Sequence, residues 1–569
     1  MKPEGGRARH LEWAAVAGLL LVHALLAYAG IRVHSVTFDE RTHLPAGMAA
    51  ASTGEIVLNR QHPPLVKLLA GAAANTAMPT LPLEGEAYRQ GREWDFGDAV
   101  LFKSGNDPAE LLRRGRLPIL LLSLVGGFFV YRWSRDLFGA GGGLLSLALW
   151  SFSPTVLGHD GWVTMDAPLA ALGLAALYFT WRARVQKEPK SDTFSEQGLM
   201  DHGEELGPRH PPKVTPAKAG AQSPVLIWFS ILAGLFLGLA LAAKFSGLVF
   251  AAAILPLCFW RVPFKEALLR RVMPLTAAAA LALWIAYLLP RDPLFYLRDL
   301  QLLYRDVRPD YLFYLAGELS RRFPHYFLAT FALKSTPVEL LVAPLTAVAL
   351  WLSPRRRELL AFVAWPALLF FVATSLLATN QGHRYILPCY PLLFVLAGSL
   401  PALLAPRLRR AGLLLGLLGG AQAFEAIWHQ PDHLAYFNAL AGGPRRGPLW
   451  LDDSNVDWGQ DFARLPSWLA EREIGQVRGA FLGDVDPAFY GVPWEPLQTT
   501  DLRDGPRPGA YLISGHVLAR LLVKADQEGW HSDWLRRYEP AGVLGGSLFL
   551  YLFPEKTVPE RAVAEEAGR

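Results

Sequence analysis

The stretch EWAAVAGLLLVHALLAYAGIRVHSVTFDE, residues 12–40, contains the two features on which the fold depends. Residues 12–33 form an apolar run about as long as the ~20 residues that cross a bilayer. The acidic pair Asp39-Glu40 follows this run after a few residues. The stretch therefore predicts a membrane span that places two carboxylates at one lip of the bilayer, where charges are costly and indicate function.

The composition extends this pattern to the whole chain. Of its 569 residues, 52% are hydrophobic and 18% are charged, whereas about 25% of residues are charged in soluble domains. These values exclude a soluble enzyme and a disordered chain. The two cysteines, Cys258 and Cys389, exclude a disulfide framework and a CxxC metal site. The sequence has no Walker A loop, HExxH motif or dinucleotide fingerprint, which argues against a nucleotide-driven pump.

Repeated apolar runs predict a polytopic α-helical membrane protein with about eleven spans. The runs lie at 12–33, 116–134, 140–157, 164–183, 224–242, 246–260, 272–290, 326–352, 359–378, 385–405 and 412–428. Lysine and arginine clusters occur in alternate loops, which predicts a cytoplasmic N-terminus and an outer C-terminus. Ala27-Tyr28-Ala29 resembles a signal-peptide cleavage site, but the run is longer than the usual ~7–15-residue signal core, so an uncleaved anchor is favoured.

Three segments are predicted to lie outside the membrane. Residues 34–115 form a long outer loop with an amphipathic patch at 64–78, and residues 185–223 have the polar composition of a disordered cytoplasmic linker. Residues 429–569 are predicted to form a small extracytoplasmic α/β domain, with strands near 477–482, 509–514 and 547–553 and a helical stretch at 461–473. The chain thus divides into a transmembrane module, 1–428, and a C-terminal domain, 429–569.

Charged and polar side chains collect at the predicted outer lips of the spans. They are Asp39, Glu40, His62, Lys67, His159, Asp160, Asp166, Lys244, Lys334, His383, Arg384 and Tyr385. Each alone has a structural interpretation, such as a solvated loop carboxylate, a snorkelling lysine or an acid at a helix N-terminus. Together they suit group transfer from a phosphate-linked donor, because a carboxylate can accept the proton of an acceptor hydroxyl and cations or a metal can neutralise the departing phosphate.

Several of these motifs, in this order, resemble the polyprenyl-phosphate-dependent glycosyltransferases of the GT-C class. The resemblance is to the protein O-mannosyltransferases (glycosyltransferase family 39) and to the bacterial aminoarabinose transferases that act on lipid A. It is carried by the acidic pair and by HPPLVKLL (62–69), PTVLGHDGWVTMDAP (154–168), GLALAAKFSGL (238–248) and HRYILPCYPLLFVLAG (383–398). The tail segment YFNALAGGPRRGPLWLDDSNVDWGQDFARL (436–465) is similar to that of bacterial carrier-dependent members.

The resemblance implies an inverting transfer of a sugar from a polyprenyl-phosphate carrier to an acceptor hydroxyl on the outer face. Asp39 would be the catalytic base, supported by Glu40 and by a second acidic position, Asp166. The donor-phosphate site implied by the resemblance comprises His62, Lys67, Lys244 and Arg384, with His159, His383 and Tyr385 in supporting positions. The partners would be the lipid-linked sugar, the bilayer and a protein, lipid or glycan acceptor, with no nucleic acid, in a bacterial inner (plasma) membrane. A divalent metal ion could be bound, but the sequence assigns no ligands to it.

The resemblance is incomplete, and other functions stay open. The outer loop 291–325 is too short for the β-trefoil modules of eukaryotic protein mannosyltransferases, which leaves the acceptor and the sugar undetermined. The main alternative is a secondary transporter of a polar or anionic solute, which would place its polar residues near the bilayer midplane within repeated halves. A third class is a membrane-anchored binding or assembly protein whose function lies in residues 429–569.

Overall fold

The computed structural model describes residues 4–184, 223–306, 310–482, 486–529 and 534–554. The predicted linker, 185–223, lies outside the described residues except at its last position. The regular elements of the first described range are all helices. Its helices are α1 (Glu4–Val33), α2 (Glu40–Thr53), α3 (Leu65–Asn75), α4 (Glu86–Arg89), α5 (Glu93–Asp98), α6 (Pro108–Ser151), α7 (Pro154–Leu157) and α8 (Asp166–Arg182).

The middle of the chain continues the helical bundle. Its helices are α9 (Ser223–Ala243), α10 (Gly247–Leu257), α11 (Phe264–Ala267), α12 (Met273–Ala286), α13 (Phe295–Asp306), α14 (Tyr326–Lys334), α15 (Pro337–Leu352), α16 (Arg356–Leu359), α17 (Trp365–Leu377), α18 (Cys389–Ala397), α19 (Leu400–Leu404) and α20 (Ala411–Trp428). A short hairpin, β1 (Phe313–Leu315) and β2 (Glu318–Ser320), lies in the loop between α13 and α14. The largest apolar cluster contains residues of α6, α8, α9, α10, α15, α17 and α18 and forms the centre of the bundle.

The helices confirm a polytopic membrane fold but not the predicted number of spans. Among the described residues, six helices are long and apolar enough to cross a bilayer, or seven if α14 and α15, which meet at a bend of 118°, form one span. Several predicted spans are instead short or broken helices. The run 246–260 contains an 11-residue helix. The run 140–157 begins in α6, directly after Gly139, whose φ of 84° breaks the helical geometry, and ends in the short helix α7.

The predicted outer loop, 34–115, contains a helical layer. Its amphipathic patch forms α3, which packs against α2 with the backbones in direct contact. A Cβ atom on Gly47 would lie 1.9 Å from the carbonyl oxygen of Lys67, and one on Gly71 would lie 2.0 Å from the carbonyl carbon of Gly47. Glycine is therefore required at both positions. This contact fixes the start of α2, which follows Asp39, relative to the loop that carries His62.

The C-terminal part contains the predicted sheet. Its strands are β3 (Val477–Ala480), β4 (Trp494–Pro496), β5 (Gly509–Ser514), β6 (Gly542–Leu544) and β7 (Leu548–Phe553), in the order β4-β3-β5-β7-β6. β3 is parallel to β4 and β5, whereas β7 is antiparallel to β5 and β6. The helices are α21 (Leu465–Ala470), α22 (Thr499–Arg503), α23 (Gly515–Glu528) and α24 (Trp534–Arg537). The predicted strands near 477–482, 509–514 and 547–553 are thus confirmed, and the helical stretch at 461–473 contains α21.

Both faces of this sheet are buried. Leu512 and Leu550 belong to one apolar cluster, whereas Tyr511 and Ile513 belong to a second cluster with residues of α23. Alternate residues of a strand point to opposite faces, so each strand contributes to both clusters. A sheet that is covered on both sides accounts for the near-continuous apolar run LFLYLF in β7.

Candidate functional site

The loop that leads to Asp39 is fixed by a buried ion pair. The guanidinium of Arg116 donates to both carboxylate oxygens of Glu40, over 2.9 Å and 2.6 Å, and neither side chain is exposed. Arg116 also donates to the carbonyl oxygens of His34 and Ser35, over 2.9 Å and 2.7 Å. Glu40 therefore holds the loop through Arg116, while the preceding residue, Asp39, remains 23% exposed.

Arg384 joins the two acidic positions that the sequence singles out. Its Nη1 atom lies 2.7 Å from Oδ2 of Asp39 and 3.7 Å from Oδ2 of Asp166. The other oxygen of Asp166, Oδ1, lies 2.5 Å from Nζ of Lys244. Four residues from four separate motifs thus form one alternating series of charges, Asp39–Arg384–Asp166–Lys244.

Two aromatic rings flank the cations of this series. Nζ of Lys244 lies 4.4 Å from the ring centroid of Tyr385, and the Arg384 guanidinium lies 4.3 Å from that of Trp458. Cations over aromatic faces at such distances are stabilised by the ring quadrupole. The rings therefore hold Lys244 and Arg384 in place beside the carboxylates.

Two histidines beside Asp39 have pKa values below the ordinary value of the imidazole. His43 and His62 are in edge contact, with ring centroids 5.1 Å apart, and Nδ1 of His43 bonds to the carbonyl oxygen of Val163 over 2.9 Å. Burial, then His43 and Lys67, hold the pKa of His62 well below its usual value. Burial raises the pKa of Asp39, but Arg384 and His43 outweigh this effect and keep that pKa below its ordinary value. Two imidazoles with lowered pKa values thus lie beside a carboxyl group whose pKa is also lowered.

Lys67 is engaged with the loop that precedes α3. Its ammonium donates to the carbonyl oxygen of His62 over 2.8 Å, to Oδ1 of Asn59 over 3.1 Å and to the carbonyl oxygen of Asn59. The residue is 2% exposed, and burial lowers its pKa to about 7. Lys67 therefore contacts the protein itself and fixes the position of His62.

The remaining predicted residues lie around the same site. His159 is buried, and burial together with the nearby Arg384 lowers its pKa. His383 is also buried and bonds to Tyr390 over 2.7 Å and to Thr330 over 3.1 Å. It supports the loop that carries Arg384 and Tyr385. The structure thus places every residue of the predicted site in or next to one region.

Residues 451–461, a segment of the C-terminal tail, close this region. The site predicted from charges at the lips of the spans did not include this segment. Phe38 donates its backbone N–H to the carbonyl of Trp458 over 2.8 Å, and Ser35 donates likewise to Gln460 over 2.9 Å. On the opposite side, Oδ1 of Asn455 accepts the backbone N–H of His383 over 2.8 Å. The segment lies between the loops of Asp39 and Arg384 and contacts both.

Asp453 belongs to the same segment and has an unusual backbone. Its φ of 55° lies in the left-handed region, which non-glycine residues adopt at a cost and which often marks a functional site. Burial raises the pKa of its carboxyl group, Arg384 opposes the shift and Asp39 adds to it. The sequence signal was present in LDDSNVDWGQD, 451–461, where four aspartates and one tryptophan occur within a segment of soluble character.

One group of potential metal ligands occurs among the described residues, and none of its members belongs to this charge series. It comprises His34, Asp432 and Asp461. Nη2 of Arg464 already contacts Oδ1 of both aspartates, so the guanidinium neutralises the carboxylates that a cation would need. We therefore base no functional step on a metal ion.

Comparisons with known proteins agree with the resemblance predicted from the sequence. A family model described as dolichyl-phosphate-mannose-protein mannosyltransferase matches residues 111–192, which include His159 and Asp166. Comparison with curated proteins gives no significant sequence match. The chain thus resembles the polyprenyl-phosphate-dependent glycosyltransferases of the GT-C class.

Solved structures show a loose similarity at low sequence identity. The apo crystal structure of ArnT from Cupriavidus metallidurans matches with a TM-score of 0.45 and 14% identity, over 94% of this chain and 97% of that chain. The arabinofuranosyltransferase AftD from Mycobacteria matches with a TM-score of 0.40 and 13% identity, over 95% and 40%. The Pmt1-Pmt2 complex of S. cerevisiae bound to its sugar donor matches with a TM-score of 0.33 and 18% identity, over 51% and 34%.

Proposed function

We propose that this protein is a membrane glycosyltransferase that moves a sugar from a polyprenyl-phosphate carrier to an acceptor hydroxyl. The observation that carries the proposal is the single guanidinium of Arg384 shared between Asp39 and Asp166, with Lys244 on the far side of Asp166. In this proposal the arrangement supplies one base and two cations to the transfer. The family description, which names a dolichyl-phosphate-linked sugar, supports the choice of donor.

Asp39 is the proposed base. Arg384 contacts its Oδ2 atom and the side chain remains 23% exposed, which leaves room for an acceptor hydroxyl. The acceptor oxygen forms a bond to the anomeric carbon of the sugar while the bond from that carbon to the phosphate oxygen breaks. The electron pair leaves with the polyprenyl phosphate, and the hydroxyl proton passes to Asp39. Attack opposite the leaving group inverts the anomeric configuration.

Lys244 and Arg384 are the proposed phosphate ligands. Both cations are bound to Asp166 before the donor enters, so the phosphate would replace part of an existing ion pair. Cations that are already in place stabilise the charge of the leaving group with little reorganisation. His62, which Lys67 holds in place, and His159 line the proposed phosphate site. The proposed positioning residues are Glu40 for Asp39, and His383 and Tyr385 for the two cations.

The surroundings of the site complete the proposal. We place the site on the outer face of a bacterial plasma membrane, with the N-terminus inside and the C-terminus outside, since the Lys/Arg distribution favours this orientation. Residues 1–428 form the proposed transmembrane module and 429–569 the C-terminal domain, whose first part packs on the site. The acceptor belongs to the classes of protein, lipid or glycan hydroxyls, and the transferred sugar is a hexose or pentose.

The test is the release of polyprenyl phosphate from a polyprenyl-phosphate sugar by the purified full chain. Asp39→Asn should lower kcat by about 10²–10⁴-fold, the usual contribution of a general base. Lys244→Ala should chiefly raise the KM for the donor. Asp95→Asn and Lys265→Ala, which alter exposed residues of the same types, serve as matched controls and should leave turnover unchanged.

Three outcomes would contradict the proposal. Full turnover by Asp39→Asn would remove the assigned base, and unchanged donor kinetics in Lys244→Ala would remove the assigned phosphate ligand. Accumulation of a solute in vesicles without any sugar transfer would favour the transporter instead.

A further inference from the structure

A charged cavity is lined by residues outside the site described above. It has a volume of about 400 Å³ and is lined by residues of the turn between α15 and α16 together with Arg261. The arginines that line it are Arg261, Arg355, Arg356 and Arg357, and all four are exposed. Four guanidinium groups around one cavity give it a positive potential, which favours the binding of an anion.

The cavity provides little negative charge of its own. Glu358 is the one carboxylate that lines it, and this group is already bound to Nε of Arg184 over 2.7 Å and to Nε1 of Trp181 over 2.6 Å. Arg355 donates to the carbonyl oxygen of Leu137 over 3.1 Å. Within the described ranges, Arg356 and Arg357 form no ion pair.

The cavity lies at the end of helix α15, at a position that corresponds to the surface of the bilayer. Helix α15 begins at Pro337, near the loops of the candidate site, and ends at Leu352, beside the cavity. Its 16 residues extend about 24 Å at 1.5 Å per residue, close to the thickness of the hydrocarbon core. Trp351, at the edge of the cavity, is 69% exposed, as is typical of tryptophans at a membrane interface.

We propose that this cavity binds the phosphate headgroup of an anionic phospholipid. The cavity opens at the end of a span, where headgroups lie, and basic pockets between membrane helices are known to bind such lipids. Arginine binds phosphate oxygens through paired N–H donors, which gives geometric selectivity in addition to charge. The acyl chains would lie along the exposed apolar residues of this end of the bundle, with Trp351 at the headgroup level.

The experiment uses the purified full chain and phosphatidylglycerol as the probe. Binding is measured by native mass spectrometry and by titration in detergent, with phosphatidylcholine as the uncharged comparison. Arg356→Gln/Arg357→Gln should weaken phosphatidylglycerol binding by about 10- to 30-fold, because each arginine near the surface contributes about a fivefold effect. Arg356→Lys/Arg357→Lys, which keeps the charge but not the paired donors, should give an intermediate loss.

The matched control is Arg409→Gln/Arg410→Gln. These two exposed arginines belong to another basic cluster, predicted on the same side of the membrane, and do not line the cavity. Phosphatidylglycerol binding by this variant should remain within about twofold of the unaltered chain. An equal loss in both double variants would show attraction by diffuse charge and overturn the proposal.

Two further measurements keep the result interpretable. Inorganic phosphate at a concentration equal to that of the lipid should not displace phosphatidylglycerol; displacement would indicate a small-anion site and overturn the lipid assignment. Arg261→Gln, in the loop between α10 and α11, should weaken binding independently of the turn between α15 and α16. If the first double variant fails to fold, as judged by its melting temperature, unchanged binding in Arg261→Gln would still contradict the proposal.

Discussion

The Nη1 atom of Arg384 lies 2.7 Å from Oδ2 of Asp39, although 345 positions of sequence separate the two residues. The contact joins the loop after the first span to the loop before α18. It also sets the charge state of Asp39, because the guanidinium opposes the upward effect of burial on the pKa of that carboxyl group. The same contact therefore holds two distant loops together and lowers the pKa of the proposed catalytic base.

The first prediction concerns the pH profile of Arg384→Gln. Burial raises the pKa of Asp39, and the guanidinium of Arg384 lowers it. Removing the guanidinium should therefore raise the pKa of Asp39. The carboxyl group would then be protonated at a higher pH, and the acidic limb of kcat/KM should move to higher pH. Arg384→Lys keeps a positive charge and should show a smaller displacement. An acidic limb that stays in place in Arg384→Gln would mean that Asp39 is not the titrating group.

The second prediction concerns the stability of the loop that leads to Asp39. Glu40→Gln leaves the fully buried guanidinium of Arg116 without its counter-charge. Removing one partner of a buried ion pair usually costs about 3–5 kcal/mol, so the melting temperature of the purified chain should fall markedly. Glu495→Gln removes the exposed partner of Arg478 and should cost less than about 1 kcal/mol. Equal melting temperatures for the two variants would show that the Glu40–Arg116 pair does not stabilise the fold.

The sequence identified the charged residues of the site but not the ion pairs that they form with one another. Asp39, Asp166, Lys244 and Arg384 could be singled out because charges at the lip of a bilayer are rare and costly. Their pairing could not be predicted, since it depends on which ends of the membrane helices are neighbours in the folded bundle. The predicted span count stays unconfirmed for a similar reason: hydropathy measures the length of an apolar run, whereas a break such as the bend between α14 and α15 decides where a helix ends.

The contribution of residues 451–461 to the site could not be predicted for a different reason. Trp458 and Asp453 lie in a segment whose composition is that of a soluble domain, so no bilayer argument applies to them. Their role depends on backbone hydrogen bonds between residues 458–460 and residues 35–38, which leave no pattern in the side chains. The four aspartates and one tryptophan of residues 451–461 were the available signal, and similarity of the tail to carrier-dependent transferases drew attention to the same segment.

The last prediction concerns Asp457, which lies in this tail segment. Its Oδ1 atom accepts the backbone N–H of Gly459 over 2.9 Å. Burial, with the nearby carboxylates Asp461 and Asp453, raises the pKa of Asp457 to about 7, compared with about 3.9 in an unfolded chain. Between these two values the folded protein binds a proton that the unfolded chain has released, so this group makes the protein less stable as the pH rises from about 4 to about 7.

Asp457→Asn removes that dependence, since the amide is neutral at every pH. The stability of this variant relative to the unaltered chain should therefore increase with pH, by about 1.4 kcal/mol for each pH unit in which the two states differ in protonation. The measurement is the difference in melting temperature between the two proteins at a series of pH values from 4 to 8. Glu471→Gln, at a 73% exposed position, should give a difference that does not vary with pH over the upper half of this range. A constant difference for Asp457→Asn as well would show that Asp457 is ionised in the folded protein throughout.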